Sequence, residues 1–286
     1  MIERIIEPRV AALVEGISVK RILPRGGRGV GPFIFLDHMG PWDYQPGKNS
    51  VDVAPHPHIG LSTLTYLFEG ELYHRDSLGS RQVVTPGDVN WMTAGNGIAH
   101  SERVSPEFKD KPQTIHGLQA WVSLPNEVED MDPSFAHHGK ASLPRFSLGG
   151  VDFTLIAGSA FGKRSPVKTH SRLFYLETKF RAGAEIKFDP EGQEIAFYFM
   201  DGRIEVMNQI IDGPKILIFK QGEQISFRAL DEVHGVLLGG DSLGPKKIWW
   251  NFVSSTQEKI DAAKSRWLEQ KFPKVPEEDE FIPLPS

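Results

Sequence analysis

His56-Pro57-His58 and His100-Ser101-Glu102 bracket a stretch that also reads Leu64-Thr65-Tyr66-Leu67-Phe68, Glu69-Gly70-Glu71, Gln82-Val83-Val84 and Pro86-Gly87-Asp88. The apolar runs are short and rich in β-branched and aromatic residues, and Gly-acidic turns punctuate them, which is the pattern of successive β-strands. Residues i and i+2 of a strand point to one face. Each terminal triplet can therefore send two side chains into one interior, and the intervening strands bring the second triplet back beside the first. Three imidazoles and one carboxylate form an N/O donor set suited to Fe, Ni, Cu, Mn or Zn. With four protein ligands, an octahedral ion keeps two positions open for water, substrate or dioxygen. Burying three histidines and a glutamate with nothing to pair them would cost several kcal/mol each, which favours an ion over a purely structural role.

Working outward, the pattern recurs. Val151-Asp152-Phe153-Thr154-Leu155-Ile156 and Glu194-Ile195-Ala196-Phe197-Tyr198-Phe199-Met200 read as strands, with turns at Asp201-Gly202 and Asp212-Gly213. Strand, acidic-Gly turn, strands and a Gly-acidic turn appear once in each half, so two β-barrels of one design are expected, divided near a linker at 124–140. Prolines flank an acidic stretch from Leu124 to Pro133, and His137-His138 reads as a solvated part of the same linker. Ser255-Thr256-Gln257-Glu258 is a capping-box pattern followed by Ile260, Ala263 and Trp267 at helical spacing. It predicts a helix to about Lys271, stopped by Pro273, that packs Trp267 on a sheet, and an extended tail to Ser286.

Composition narrows the function classes. The 286 residues are 40% hydrophobic and 24% charged, with no cysteine and a net charge of −5. Disulfides, thiolate metal sites, iron–sulfur clusters and cysteine nucleophiles are thereby excluded. The acidic balance argues against direct nucleic-acid binding. No apolar run is long enough for a membrane span, and the first residues lack a signal-peptide pattern, so a cytoplasmic location is expected. His74, beside Arg75 and Asp76, reads as a pocket-rim or structural residue. His116 reads as a satisfied core histidine in an alternating strand, and His38 is placed to reach the cavity from the N-terminal segment. Phe33, Phe35, Trp91 and Met92 are candidates for core or for an apolar pocket wall. Arg25-Gly26-Gly27-Arg28-Gly29 lacks the Lys-Ser/Thr and helix context of a phosphate cradle and reads as a loop.

The ordered series His56-Pro57-His58-Ile59-Gly60, Tyr66-Leu67-Phe68-Glu69-Gly70-Glu71, His74-Arg75-Asp76-Ser77-Leu78-Gly79, Pro86-Gly87-Asp88-Val89-Asn90-Trp91-Met92-Thr93-Ala94-Gly95 and Gly97-Ile98-Ala99-His100-Ser101-Glu102 resembles the pirin family of the cupin superfamily. Phe35-Leu36-Asp37-His38-Met39-Gly40-Pro41, Ser165-Pro166-Val167 and Phe174-Tyr175-Leu176 extend the likeness. The resemblance implies an all-β bicupin of two stacked cupin-type barrels with a C-terminal helix. Residues 1–130 would form the metal-binding barrel, and 131–286 a second barrel without metal that ends in the helix and tail. It implies one divalent ion held by His56, His58, His100 and Glu102, with Fe2+ the family's usual metal and Zn, Ni, Cu, Mn or Co as alternatives. It further implies a dioxygenase of the quercetin 2,3-dioxygenase type, taking a small aromatic flavonol-type substrate and O2, with Glu102 also the catalytic base. The alternative it offers is a metal-dependent regulator that acts through a protein partner. Where many relatives carry Arg-Gly-Phe-Glu, this chain has Ile59-Gly60-Leu61-Ser62, a change at a pocket-wall position. The C-terminal half has His170 and His234 but no His-x-His pair.

Overall fold

The computed structural model describes residues 1–14, 16–24 and 28–285, so the proposed loop at 25–29 lies largely outside the described residues. Among the described residues the regular structure is strand, apart from the α-helix Gln257–Leu268 and two short 3-10 turns. Two compact units emerge, interleaved rather than divided at one point near residue 130. The first comprises Met1–Arg9, Ile22–Ile34 and Ala141–Ser242; the second comprises Val10–Arg21, Phe35–Lys140 and Leu243–Ser286, so the helix and tail pack with residues 35–140.

The second unit contains a seven-stranded sheet in the order Ser134–His138, Val89–Thr93, Leu61–Glu69, Gln113–Ser123, Phe33–Tyr44, Ile17–Leu23, Arg9–Val14. Its other sheet has four strands in the order Val53–His58, Ile98–Val104, Leu72–Asp76, Arg81–Val84. The first unit repeats the plan. An eight-stranded sheet centres on Glu194–Phe199, Val233–Gly240 and Leu173–Phe180, and a four-stranded sheet runs Glu185–Phe188, Ile225–Ala229, Arg203–Val206, Gln209–Asp212.

The expectation of closed barrels is corrected here. Among the described residues no sheet closes on itself: each path ends in edge strands, Lys163–Arg164 branches off the eight-stranded one, and no ladder links a large sheet to its four-stranded companion. A barrel requires that last ladder. In the second unit the two sheets are held instead by side chains on their inner faces: Leu67, Leu72, Val84, Ile115 and Met39 form one apolar cluster. In the first unit the interior is filled by phenylalanines, among them Phe153, Phe174, Phe180, Phe197, Phe199 and Phe227. At roughly 1.5–3 kcal/mol per fully buried large apolar side chain, this filling is a stabilising core.

The helix begins one residue later than its capping pattern implies. Thr256, not Ser255, is the N-cap and accepts from the Lys259 amide, because the Ser255 hydroxyl is taken by Glu129 at 2.6 Å. It ends at Leu268 rather than near Lys271. Its buried residues Ile260, Ala263 and Trp267 pack on Ile59, Ala99 and Phe252, as the spacing predicts.

Candidate metal centre

Strands Val53–His58 and Ile98–Val104 lie side by side, with His56 directly opposite His100. Two glycine turns make the approach possible. Gly60 has φ +68°, and a Cβ there would meet the Val253 carbonyl oxygen at 1.9 Å; Gly95 has φ +52°, and a Cβ would meet the Met131 carbonyl oxygen at 1.9 Å. Only glycine tolerates both the conformation and the contact. The Gly95-Asn96-Gly97 turn therefore leads into the ligand strand as its sequence implies.

His56, His58 and His100 converge with their donor atoms all within 4.8 Å of one another. They are 7%, 1% and 1% exposed, so water does not satisfy them. His56 Nδ1 donates to the Ala54 carbonyl at 2.9 Å, which leaves Nε2 as a lone pair facing the cluster. His58 Nε2 and His100 Nε2 lie 3.1 Å apart. Two ligand nitrogens at right angles on an ion with bonds of about 2.1 Å sit about 3 Å apart, so the spacing fits a first-row ion. Burial lowers the His56 pKa to about 4, against the opposing Ala54 hydrogen bond, with His74 adding to the fall. Burial and the neighbouring imidazoles hold His58 and His100 well below the ordinary range as well. All three are neutral at pH 7, the form that coordinates a metal.

A chain of hydrogen bonds orients His100 from behind. Its Nδ1 faces His74 Nδ1 at 3.4 Å, and His74 Nε2 lies 3.0 Å from Asp76 Oδ2. Asp76 is in turn held by the backbone amides of Leu78 and Ser80. Burial would raise the Asp76 pKa, but His74 and Ser80 hold it below the carboxylate range. With Asp76 ionised, a neutral His74 donates to Asp76 and accepts from His100 Nδ1, which leaves the His100 Nε2 lone pair for an ion. His74 is thus a structural residue behind the cluster.

Glu102 stands on the same strand but is not one of the grouped donors. A register shift separates it from His100, placing it opposite Val53 on one side and His74 on the other. Its Oε1 is 3.4 Å from the Thr65 hydroxyl, which donates to Gln119 Oε1 at 2.8 Å. Burial raises its pKa, only partly countered by His74 and Thr65.

The other histidines sort by their contacts. His38 and His116 meet each other, Nε2 to Nε2, at 2.7 Å and do not join the three-histidine group. His137 and His138, expected in a solvated linker, belong to the edge strand Ser134–His138 and are half-buried. Of the proposed wall residues, Phe35 stacks on Trp121 with ring centroids 4.1 Å apart, and Trp121 meets His58 in a T-shaped contact at 5.2 Å. Phe33 packs on Tyr175 in the first unit. The sequence reading missed Trp121 and Phe135, the latter stacked on His74 at 4.3 Å; their place in alternating or linker sequence carried no signal of it. In the first unit His234 pairs with Glu177 at 2.8 Å, and no donor cluster occurs there among the described residues.

Comparison with known proteins places this architecture. The Pirin family profile matches residues 16–122 and the Pirin C-terminal cupin domain matches residues 175–273. A pirin-like protein of Caulobacter vibrioides is 49% identical over 274 residues, covering 94% of each chain. Human pirin is 30% identical over 258 residues, covering 87% of this chain and 85% of its own. The crystal structure of a quercetin 2,3-dioxygenase from Acinetobacter baumannii has a TM-score of 0.90 at 32% identity, covering 99% of this chain and 95% of that one. The three-histidine cluster falls within the stretch that the first profile matches, and the identities span nearly the whole chain: it belongs to the pirin family of the cupin superfamily.

Proposed function

We propose that this protein is a metal-dependent dioxygenase of the quercetin 2,3-dioxygenase type, acting on flavonol-like substrates. The observation that carries the reading is a buried cluster of three neutral histidines in a chain that superposes, at TM-score 0.90, on a quercetin 2,3-dioxygenase. We assign His56, His58 and His100 as metal ligands and Glu102 as the fourth, with Fe2+ as the ion. A bound divalent ion supplies Lewis acidity and open positions toward oxygen ligands.

The protein's own groups do the rest. The Asp76–His74 chain and the Ala54 carbonyl fix His100 and His56 in the tautomers that face the centre. Glu102, whose burial raises its proton affinity, is the base that takes the proton of the enolic hydroxyl. Trp121 and Phe135 provide flat apolar surfaces beside His58 and His74, suited to a planar ring system. Phe35 stiffens this wall by stacking on Trp121.

The test is elemental analysis of purified protein and of the H56A and E102A variants, with oxygen uptake on quercetin by the iron-loaded wild type. Lost metal in both variants and uptake by the wild type are expected. Full metal occupancy in both variants would overturn the ligand assignment, and no uptake with iron, nickel, copper, cobalt or manganese would overturn the activity.

A further inference from the structure

Opposite the ligand sheet, one row of polar side chains crosses four strands of the seven-stranded sheet. His137 pairs in register with Asn90, Asn90 with Thr65, and Thr65 with Gln119. Residues directly opposite on neighbouring strands share a face. This face looks toward the metal ligands: Thr65 reaches Glu102, and Phe135, two residues before His137, stacks on His74. Asn90 is 3% exposed. One end of its amide is engaged, Oδ1 lying 2.8 Å from His137 Nδ1, while Nδ2 is buried with no partner.

A buried amide nitrogen with two unmade hydrogen bonds is costly, and a bound ligand with an acceptor oxygen would remove that cost. We infer that Asn90 is a specificity residue of the site: its Nδ2–H2 donates to an oxygen of the substrate, and His137 holds the amide in that orientation from behind. The inference rests on the dioxygenase reading and sharpens it. The substrate class is a planar aromatic carrying acceptor oxygens at two places, one set toward the histidines and Glu102 and another, on the ring's far side, toward Asn90. Thr65 donates to Gln119 Oε1, and among the described residues Asn90 Nδ2 is the buried donor of this row that has no partner.

The probes are quercetin and flavone, which has the ring frame and ring carbonyl but none of the hydroxyls. Binding is followed anaerobically on iron-loaded protein by quenching of tryptophan fluorescence, so no turnover contributes. N90D keeps the acceptor for His137 and replaces the donor with an oxygen; N90L removes both. Wild type should bind quercetin more tightly than flavone. Each variant should lose about 10- to 100-fold in quercetin affinity, with flavone affinity within about threefold of wild type and iron content unchanged. Quercetin binding unaltered in N90D overturns the role of Asn90 and leaves the dioxygenase reading standing. Wild type that binds neither probe overturns both.

Discussion

Replacing Glu129 with glutamine tests a buried electrostatic link with several partners. Glu129 lies in the 124–133 stretch, yet its carboxylate is buried and receives Lys246 Nζ at 3.0 Å, Lys259 Nζ at 2.7 Å, the hydroxyls of Ser254 and Ser255, and the Ser255 amide. Burial alone would raise its pKa, but Lys259, Ser255 and Lys246 outweigh it and bring the value from 4.5 to about 2. At about 1.4 kcal/mol per pKa unit, that difference corresponds to roughly 3 kcal/mol of stability at neutral pH. E129Q keeps the shape but removes the charge, and it leaves Lys246, whose side chain is 2% exposed, without a counter-ion. The expected loss at pH 7 is about 3 kcal/mol, or roughly 6–12 °C in melting temperature. The sign follows from linkage. A carboxylate with a depressed folded-state pKa stabilises fully above its unfolded pKa, and that stabilisation is lost as pH falls toward the folded value. Guanidinium titrations should therefore separate wild type from E129Q by about 3 kcal/mol at pH 7 and by only about 1 kcal/mol at pH 3. A gap that is the same at both pH values, or below about 1 kcal/mol at pH 7, would refute the account.

Three further outcomes are expected. H74F and D76N, which break the hydrogen-bond chain behind His100, should each lower metal affinity about 10- to 100-fold in a competitive chelator titration while leaving apoprotein stability less affected than affinity. E278A should release the tail, because Glu278 is clamped by Ser101 at 2.7 Å and Arg103 at 2.6 Å, with Arg75 completing the site; cleavage within 273–286 by a nonspecific protease should quicken severalfold. T256A should cost about 1 kcal/mol by removing the N-cap of the helix, and S255A should cost a similar amount through Glu129 rather than through the helix end, so that it is non-additive with E129Q in a double-mutant cycle.

The parts of this protein legible in its sequence are those whose physics is local. The two-residue period of a strand makes His56/His58 and His100/Glu102 recognisable as same-face pairs, and the short runs and Gly-acidic turns make the all-β class recognisable. The capping pattern and the spacing of Ile260, Ala263 and Trp267 announce the helix within a residue or two at its start. What was not legible depends on pairings between distant positions. Whether the sheets close is decided by ladders between edge strands, and their absence among the described residues leaves open sheets held by side chains. His137 becomes part of the inner face only because residues 134–138 pair with 89–93, a register that no local period marks. Glu129 becomes a buried anchor only because partners 117 to 130 residues away arrive around it; alone, it is one acidic residue in a proline-flanked turn. Donor identity and same-face spacing are properties of neighbouring residues, whereas burial, register and partner choice belong to the assembled sheets.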